Sequence, residues 1–176
     1  GTLDPNADGL MLLATNGYTK LFDYISNTNK TYKVIAMLGY SSPTLDVDSE
    51  ITKHDDINAH QLQTQIQEFL TNLVGESTQT PPIYSAIKVK GKRLYKYARQ
   101  NQDVEIPDRT IFVESTELLE VNENKVIFEI TVSKGTYIRS IVQQLGEYVN
   151  THAIVETLTR TAICLLYTSP SPRDSR

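Results

Sequence analysis

Hydrophobic residues recur along this chain at two spacings, every second position and every third or fourth position. The alternating set Val126, Phe128, Ile130 and Val132 predicts a strand with one buried and one wetter face. The set Leu62, Ile66, Phe69, Leu70 and Leu73 has helical spacing and predicts an amphipathic helix that ends near Gly75. Together with β-branched and aromatic enrichment, these patterns predict extended segments at residues 31–38, 84–89, 110–121, 125–133 and 153–163, and helices at residues 59–74, 93–100 and about 138–149.

The order of these elements predicts the fold class. Residues 122–124 lie between two extended segments and predict a hairpin turn, while residues 40–56 are dense in Ser, Pro, Asp and Thr and predict a surface loop. Strands and helices do not alternate regularly, which favours an α+β fold over a doubly wound one. We therefore expect a mixed and mainly antiparallel sheet flanked by helices.

Composition limits the kinds of protein that this chain can be. Its 176 residues include 21 acidic and 17 basic side chains and are 39% hydrophobic, which is typical of globular domains and excludes disordered and collagen-like chains. Apolar runs such as residues 10–14 are far shorter than the roughly 20 residues of a membrane helix, and no basic-then-apolar leader precedes that run. We expect no membrane association. The net charge of −4 disfavours nucleic-acid binding over the whole surface but permits a local basic patch.

The C-terminal residues differ in character from the rest of the chain. From Cys164 onward the sequence resembles the translation of a transposon-type sequencing-library adapter; the alternative is a genuine Ser/Pro-rich tail. In both cases we expect residues 1–163 to form the folded domain and residues 164–176 to be an artefactual or disordered tail. Cys164 is the only cysteine, so the domain has no disulfide, thiolate nucleophile or cysteine metal site, which is typical of the cytoplasm.

The acidic start of the chain allows three interpretations. Residues 4–9 match the first half of a calcium-binding loop, but the twelfth position is Thr15 where a bidentate Glu is needed. A helix start is a second interpretation, with Asp4 as N-cap and Pro5 at the first helical position. Because Pro5 also favours an extended backbone before it, Asp4 is predicted at a strand-to-helix junction where its carboxylate can face a cleft. The remaining metal-ligand types have no ligand spacing and are interpreted as surface residues: His54, His60 and His152.

A second candidate feature is a run of cations with no acid between residues 82 and 102. The cations are Lys88, Lys90, Lys92, Arg93, Lys96 and Arg99, with Tyr84, Tyr95 and Tyr97 interleaved. In a chain of negative net charge, this local concentration predicts a surface that contacts the phosphate backbone of a nucleic acid. The alternative is a solvated helix face whose lysines lie over the tyrosine rings.

A third candidate feature is the turn Ser133-Lys134-Gly135-Thr136-Tyr137-Ile138-Arg139, which joins a predicted strand to a predicted helix. Gly135 permits a tight turn, and Thr136 is placed to cap the helix. Arg139 falls in the first helical turn, where a cation opposes the helix dipole, so a carboxylate partner is expected. The alternative is an ordinary exposed arginine.

These features, with two further segments, lie in an order that is typical of one enzyme family. The segments are Gly1-Thr2-Leu3-Asp4-Pro5 with Ala7 and Gly9, then Lys30-Thr31-Tyr32-Lys33-Val34, then Pro81-Pro82-Ile83-Tyr84-Ser85-Ala86-Ile87-Lys88-Val89-Lys90-Gly91-Lys92-Arg93-Leu94-Tyr95, and the turn ending at Arg139. In combination they resemble the motifs of the TruB-type pseudouridine synthases, bacterial enzymes that modify the T-arm of tRNA. Leu158 with Arg160-Thr161 resembles a weaker further motif, so the resemblance spans residues 1–163.

The resemblance implies a fold, a reaction and a partner. The fold is a pseudouridine-synthase catalytic core. The reaction is the isomerisation of a uridine in the T-arm loop of tRNA, of the position 55 type, by base flipping and nucleophilic catalysis by an Asp. No redox change occurs, so no cofactor and no metal are expected. The implied partner is tRNA, and the protein is expected to act as a monomer in the cytoplasm.

The resemblance also implies roles for individual residues. Asp4 matches the catalytic Asp, and Arg139 matches the Arg that pairs with it and favours its ionised form. Tyr32 matches the aromatic residue that stacks on the flipped base, where stacking is worth about 1–3 kcal/mol. The remaining positions that match are Tyr137 and Leu158 in the uridine pocket, and Lys20 and Asp46 as supporting residues.

Some family features are not matched. The family's His, just upstream of Gly1, the strands before it and a C-terminal RNA-binding domain all lie outside this sequence, and Thr159 stands where the family usually has an Arg. We therefore expect the polypeptide as written to fold poorly or to bind tRNA weakly.

Two other functions fit parts of the sequence. The first is a non-catalytic RNA-binding or tRNA-folding module on the same scaffold, which the retained Asp4, Tyr32 and Arg139 disfavour because binding needs no nucleophile. The second is the guide-RNA-dependent relative of archaea and eukaryotes, which the bacterial character of residues 84–99 disfavours.

Overall fold

The computed structural model describes residues 2–22, 25 and 27–163 of the chain. Its strands are β1 Ala7–Gly9, β2 Lys30–Leu38, β3 Tyr40–Ser41, β4 Thr52–Lys53, β5 Gly75–Gln79, β6 Lys88–Val89, β7 Lys92–Arg93, β8 Arg109–Asn122, β9 Lys125–Val132 and β10 Ala153–Ile163. Its α-helices include α1 Gln63–Asn72, α2 Leu94–Arg99 and α3 Ile138–Tyr148, and 3₁₀ helices cover Asn16–Leu21 and Ala59–Leu62. The predicted tail at residues 164–176, with Cys164, lies outside the described residues.

Six strands form the main sheet, in the order β1-β10-β2-β9-β8-β5. β1 runs parallel to β10, and every other neighbouring pair is antiparallel. The α+β class with a mixed and mainly antiparallel sheet is therefore confirmed. Four of the predicted extended segments correspond to β2, β8, β9 and β10, because each has the β-branched residues and alternation that suit a half-buried strand.

The two longer α-helices, α1 and α3, share one hydrophobic core with one face of the sheet. In β9 the residues at even positions are buried and the intervening ones are partly exposed, as the alternation predicts. Ile66, Phe69 and Leu70 of α1 and Ile141 and Leu145 of α3 lie in the same core cluster as that face. Each such side chain contributes roughly 1.5–3 kcal/mol when fully buried, so the helices are held chiefly by this face.

The chain leaves the main sheet between β5 and β8. Gln79 pairs with Arg109 in register, and residues 80–108, called the basic loop below, carry the β6–β7 hairpin and α2. The helix predicted at residues 93–100 is confirmed by α2. The extended segment predicted at residues 84–89 is wrong except for β6, because the Ser85 and Ile87 carbonyls accept hydrogen bonds from within the same loop, at 3.1 Å from Tyr95 and 2.7 Å from Leu94.

The region predicted as a surface loop, residues 40–56, is a loop with one small ladder between β3 and β4. The rings of His54 and His152 stack there with their centroids 3.9 Å apart, and His54 Nε2 lies 2.6 Å from Ser41 Oγ. His54, His60 and His152 are all exposed, so their interpretation as surface residues is confirmed.

The N-terminal segment forms a turn and a strand, and the predicted helix start at Asp4 is wrong. The Asp4 carbonyl accepts a hydrogen bond from the Ala7 amide at 2.9 Å, and β1 then pairs with β10 as the edge strand of the sheet. Gly9 has a φ of +108°, and a Cβ there would lie 2.3 Å from the Arg160 carbonyl oxygen, so only glycine allows this approach. None of the described helices is long and apolar enough to cross a membrane.

Candidate active site

Asp4 lies where the N-terminal turn meets the sheet. Its side chain is 38% exposed, and its Oδ2 lies 2.8 Å from Nε of Arg139. This contact joins the first turn of the chain to the first turn of α3, which are far apart in sequence. The carboxylate is therefore held by a cation while it stays accessible from solvent.

Arg139 is buried and connects three separate segments. Only 6% of its side chain is exposed. Besides Asp4, its Nη1 donates to the Thr44 carbonyl at 3.0 Å, and Nη1 and Nη2 both donate to the Tyr84 carbonyl at 3.1 Å. The expected carboxylate partner is thus present, and the alternative of an ordinary exposed arginine is wrong.

Asp46 places a second carboxylate on the other side of this guanidinium. Its Oδ2 is 4.0 Å from Arg139 Nε, and its Oδ1 accepts hydrogen bonds from Thr44 Oγ1 at 2.5 Å and from the Asp48 amide at 3.0 Å. The loop that carries Asp46 is anchored to β10 by the Val155 amide, which donates to the Leu45 carbonyl. One buried cation therefore compensates two carboxylates, which offsets the cost of burying it.

Asp48 lines a cavity together with Asp4, Asp46 and Arg139. Burial raises the pKa of its carboxyl above the ordinary value of 3.8, and the nearby carboxylates of Asp46 and Asp4 raise that pKa further, against the opposing effect of Arg139. The folded state therefore disfavours the ionised form of Asp48, and this cost is present at neutral pH and relieved as pH falls through the raised pKa.

We expect Asp48→Asn to raise the free energy of unfolding at pH 7 by roughly a few tenths of a kcal/mol, because solvent screens this exposed charge. Urea unfolding at pH 7 and pH 4 measures this gain in the free energy of unfolding. The gain should narrow towards pH 4, because the folded-state carboxyl, whose pKa is raised above 3.8, takes up a proton before the unfolded-state carboxyl does. Glu50→Gln, which removes another exposed carboxyl of the same loop, is the matched control. A gain that is the same at both pH values contradicts the assignment.

One cavity of about 410 Å³ is lined by four of the five predicted catalytic and substrate-binding residues. Asp4, Tyr32, Tyr137 and Leu158 all line it. Tyr32 is carried by β2 at the register position of Arg160, Leu158 is carried by β10, and Tyr137 directly precedes α3. The volume lies in the range of small-molecule pockets, so one base with part of its sugar can be enclosed between aromatic and apolar side chains.

Neither predicted supporting residue lines this cavity: Asp46 lies beside Arg139 in a neighbouring cavity, and Lys20 lies apart from the site. It lies in the 3₁₀ helix Asn16–Leu21 with an exposed side chain, and Phe22, two residues later, lines the cavity instead. A role for Lys20 stays a prediction.

Sequence reasoning missed two buried cations at the cavity. Lys30 and Arg160 line it, and each is engaged with backbone, Lys30 Nζ donating to the Thr28 carbonyl at 2.6 Å and Arg160 Nε to the Leu10 carbonyl at 2.7 Å. Lys30 could have been found, because in a strand it projects from the same face as Tyr32, two residues on. Together they give the cavity a positive wall that suits the oxygens of a nucleotide.

The start of α3 is also built differently from the prediction. Tyr137 is the N-cap residue, and Thr136 makes no cap; its hydroxyl lies 3.3 Å from that of Ser133. The side chain of Gln79 instead holds the Tyr137 backbone, with its Oε1 accepting from the Tyr137 amide at 2.8 Å and its Nε2 donating to the Tyr137 carbonyl at 3.0 Å. No local pattern identifies Gln79, because its partner is 58 residues away.

A second cavity, of about 390 Å³, connects the site to the basic loop. Asp4, Asp46 and Arg139 line it from the site, and Tyr84, Ser85, Tyr95 and Arg99 line it from the loop. One cation of the basic loop, Arg99, therefore lines the same cavity as the Asp4–Arg139 pair.

The six cations of the basic loop do not all have the same surroundings. Lys92 Nζ lies 4.4 Å from the centroid of the Tyr97 ring and donates to the side chains of Gln100 and Gln102, and Arg99 lies 5.3 Å from the Tyr95 centroid. The remaining four are exposed: Lys88, Lys90, Arg93 and Lys96. Lysine over tyrosine, the alternative interpretation, thus describes Lys92, while contact of the exposed cations with RNA stays a prediction.

In the described part of the chain, His, Cys, Asp and Glu form no group of three or more that could hold a metal ion.

Comparison with solved structures identifies the class of fold. In the crystal structure of a Cbf5–Nop10–Gar1 complex, one chain superposes with a TM-score of 0.65 and 25% sequence identity over 92% of this chain and 38% of the other. A second match, to an H/ACA ribonucleoprotein bound to a substrate RNA containing 2′-deoxyuridine, has a TM-score of 0.61 at 22% identity. The fold is that of a pseudouridine synthase catalytic core.

Sequence comparison identifies the family. Residues 1–138 match the family described as TruB family pseudouridylate synthase (N terminal domain), and the chain belongs to this family. It is 41% identical over 160 residues to tRNA pseudouridine synthase B of Mycoplasmopsis pulmonis, covering 91% of this chain and 56% of the relative. It is 38% identical over 162 residues to the enzyme of the same name from Alkaliphilus oremlandii, covering 92% and 54%. The chain thus spans about half the length of the curated relatives it matches, and these bacterial relatives confirm the predicted bacterial branch.

Proposed function

We propose that this protein provides the catalytic core of a tRNA pseudouridine synthase, which isomerises a uridine in the T-arm loop, of the position 55 type. Bacterial relatives at 38–41% identity carry the name tRNA pseudouridine synthase B, which supports tRNA as the substrate. The T-arm position, the monomeric state and the cytoplasmic site of action are parts of the same proposal.

The observation that carries the proposal is the contact between Asp4 and the buried Arg139 at the wall of the main cavity. A carboxylate that contacts a cation and is still 38% exposed can be reached by a substrate, as a nucleophile has to be. A protein that only binds RNA does not need such a group, which argues against the non-catalytic module.

The reaction balances with the groups that the site holds. The bond between N1 of the uracil and C1′ of the ribose breaks, the base turns, and a bond between C5 and C1′ forms. The proton on C5 is lost, and N1 gains one. An Asp4 carboxylate that forms a transient covalent bond divides this substitution into two easier steps and is released at the end, so no external oxidant or reductant is consumed.

The target uridine must leave its stack before it can reach Asp4. Unstacking costs a few kcal/mol, and stacking on an aromatic side chain returns about 1–3 kcal/mol per base. Tyr32 is partly exposed in the main cavity and is placed to accept the flipped base, with Tyr137 and Leu158 enclosing it. The neighbouring Lys30 and Arg160 add positive charge for the sugar-phosphate.

The exposed cations of the basic loop are proposed to contact the RNA backbone. We expect Lys88→Ala, Lys90→Ala and Lys96→Ala each to weaken binding of a T-arm stem-loop similarly for all sequences. Removing one lysine–phosphate interaction should reduce the slope of log affinity against log salt by about 1. Filter binding from about 50 to 300 mM salt measures the slope. Lys53→Ala, which removes an exposed lysine paired with Asp56, is the control. An unchanged slope in all three variants removes the basic loop from the proposal.

The proposal is tested by release of tritium from C5-labelled uridine in a T-arm stem-loop and in an anticodon stem-loop of equal length. Two proteins are assayed. One is the chain itself, and the other is a chimera in which residues 1–163 of this chain replace the matching segment of the Mycoplasmopsis pulmonis relative. We expect the chimera to release tritium from the T-arm RNA only. RNA binding without release in the chimera supports the non-catalytic module and contradicts the proposal.

A further inference from the structure

Gln79 lies outside the main cavity but is bonded to the residue on which the geometry of that cavity depends. It is the last residue of β5 and is 2% exposed. Both ends of its amide are used by one residue, since Oε1 accepts from the Tyr137 amide at 2.8 Å and Nε2 donates to the Tyr137 carbonyl at 3.0 Å. A buried side chain with both groups satisfied by one backbone unit fixes the position and the orientation of that unit.

These bonds matter because helix α3 begins at this point without a side-chain cap of its own. An uncapped first turn frays, and its side chains lose a defined position. Two other side chains of the first turn bond to residues outside α3: Ser140 Oγ donates to the carbonyl of Thr80, the residue after Gln79, and the Arg139 guanidinium donates to the Thr44 and Tyr84 carbonyls. The Gln79 side chain, at the end of β5, and the carbonyl of the next residue thus hold two residues at the start of α3.

The residues held in this way are those of the site. Tyr137 itself lines the main cavity, and Arg139, two residues later, contacts Asp4 at 2.8 Å. A shift of the first turn of α3 by about 1 Å would therefore move the base-enclosing ring and the carboxylate partner together. Misplacement on that scale can reduce a catalysed rate by about a hundredfold.

Gln79 also marks the point where the basic loop leaves the sheet. It pairs in register with Arg109, so residues 80–108 begin and end beside it, and the carbonyl of Tyr84 in that loop accepts from Arg139. The residue thus stands where the RNA-contacting segment and the active-site helix meet.

We propose that Gln79 is a positioning residue for the isomerisation: it holds the backbone of Tyr137 so that the Tyr137 ring and the Arg139 guanidinium are in place when RNA seats against the basic loop. This inference rests on the proposed function. It assigns to Gln79 an effect on the bond-making steps and not on RNA affinity.

The test uses Gln79→Met, which keeps the length and loses both hydrogen bonds, and Gln79→Glu, which keeps the acceptor for the Tyr137 amide and loses the donor. The control is Thr116→Val. It removes a comparable hydrogen bond between a strand and a helix, which Thr116 Oγ1 donates to the Leu70 carbonyl at 2.8 Å. This bond lies away from both cavities. Each is made in the chimera, and single-turnover tritium release at saturating T-arm RNA is measured with RNA affinity and thermal midpoint.

We expect Gln79→Met to reduce the single-turnover rate by about 10–100-fold with RNA affinity within about twofold of wild type, and Gln79→Glu to recover part of the rate. Thr116→Val should lower the thermal midpoint similarly and leave the rate unchanged. Equal rate losses in Gln79→Met and Thr116→Val, or an unchanged rate in Gln79→Met, overturn the positioning role.

Amide hydrogen exchange of the chain separates this inference from the proposed function, because it needs no turnover. Gln79→Met should expose the Tyr137 amide to exchange while amides in the centre of β9 keep their protection. If the wild-type chimera releases no tritium but the Tyr137 amide responds in this way, the proposed function fails and the hydrogen-bonded role of Gln79 stands. If the amide keeps its protection in Gln79→Met, that role is itself contradicted.

Discussion

Replacing Asp4 with asparagine should reduce pseudouridine formation by at least about a thousandfold and change RNA affinity by less than about threefold. The amide has nearly the shape of the carboxylate and can still accept a hydrogen bond from Arg139, but it carries no charge and is not a nucleophile. Because the loss is in the bond-making steps, saturating the chimera with T-arm RNA should not restore the rate.

Single-turnover tritium release together with filter binding measures both quantities for the Asp4 variant. Asp8→Asn is the matched control, because it makes the same chemical change four residues away at an exposed side chain in β1. We expect Asp8→Asn to leave the rate within about twofold of wild type. Equal pseudouridine yields from Asp4→Asn and wild type would show that Asp4 is not the nucleophile.

Loss of the Arg139 guanidinium should affect stability as well as turnover. Arg139→Met leaves the buried Asp46 carboxylate without its cation and removes the donors to the Thr44 and Tyr84 carbonyls. Breaking a buried pair in this way costs about 3–5 kcal/mol, and the half-exposed Asp4 contributes little of that because water can solvate it. We expect a loss of about 3 kcal/mol in the free energy of unfolding and no detectable pseudouridine formation.

A second substitution tests whether the unpaired Asp46 carboxylate causes this loss of stability. If the orphaned Asp46 charge is responsible, Asp46→Asn should recover part of the stability that Arg139→Met removes, by about 1–2 kcal/mol of coupling. Arg139→Lys keeps the charge but cannot donate to all the Arg139 partners at once, so it should recover stability better than turnover. Urea unfolding of the single and double variants measures these effects. Strictly additive losses would mean that Asp46 and Arg139 are not coupled.

The regular part of the fold follows from periodicity in the sequence. Where one face of an element meets the core, as in β9 or α1, burial repeats every second residue or once per helical turn, and the sequence records that repeat. The hairpin of β8 and β9 could be predicted because the two strands that pair are adjacent in the sequence. The basic loop could not be predicted in this way. Residues 84–87 include β-branched and aromatic side chains, but the carbonyls of Ser85 and Ile87 accept hydrogen bonds from within the loop and not from a neighbouring strand.

The errors at the site have a common physical cause, which is competition from partners distant in sequence. Asp4 followed by Pro5 has the local features of a helix start, yet the open edge of β10 offers pairing partners that draw residues 7–9 into a strand. Thr136 has the local features of a cap, but the Gln79 side chain occupies the Tyr137 amide. A carboxylate partner for Arg139 could be predicted because a cation in the first turn of a helix opposes the helix dipole, and the family resemblance implied that this partner is Asp4. No local pattern identifies Gln79.

The parallel pairing of β1 with β10 also determines when the site can form. Ala7 pairs with Leu158, and Arg160 Nε bonds to the Leu10 carbonyl across 150 residues of sequence. Contacts between residues so far apart in sequence form slowly, because closing the intervening loop costs conformational entropy before the contacts can stabilise the fold. During synthesis Asp4, the proposed nucleophile, leaves the ribosome early, but β10, the strand that pairs with β1, is made much later. Asp4 should therefore be unreactive towards RNA in every nascent chain that ends before β10. The polypeptide is expected to become catalytically competent only late in its synthesis.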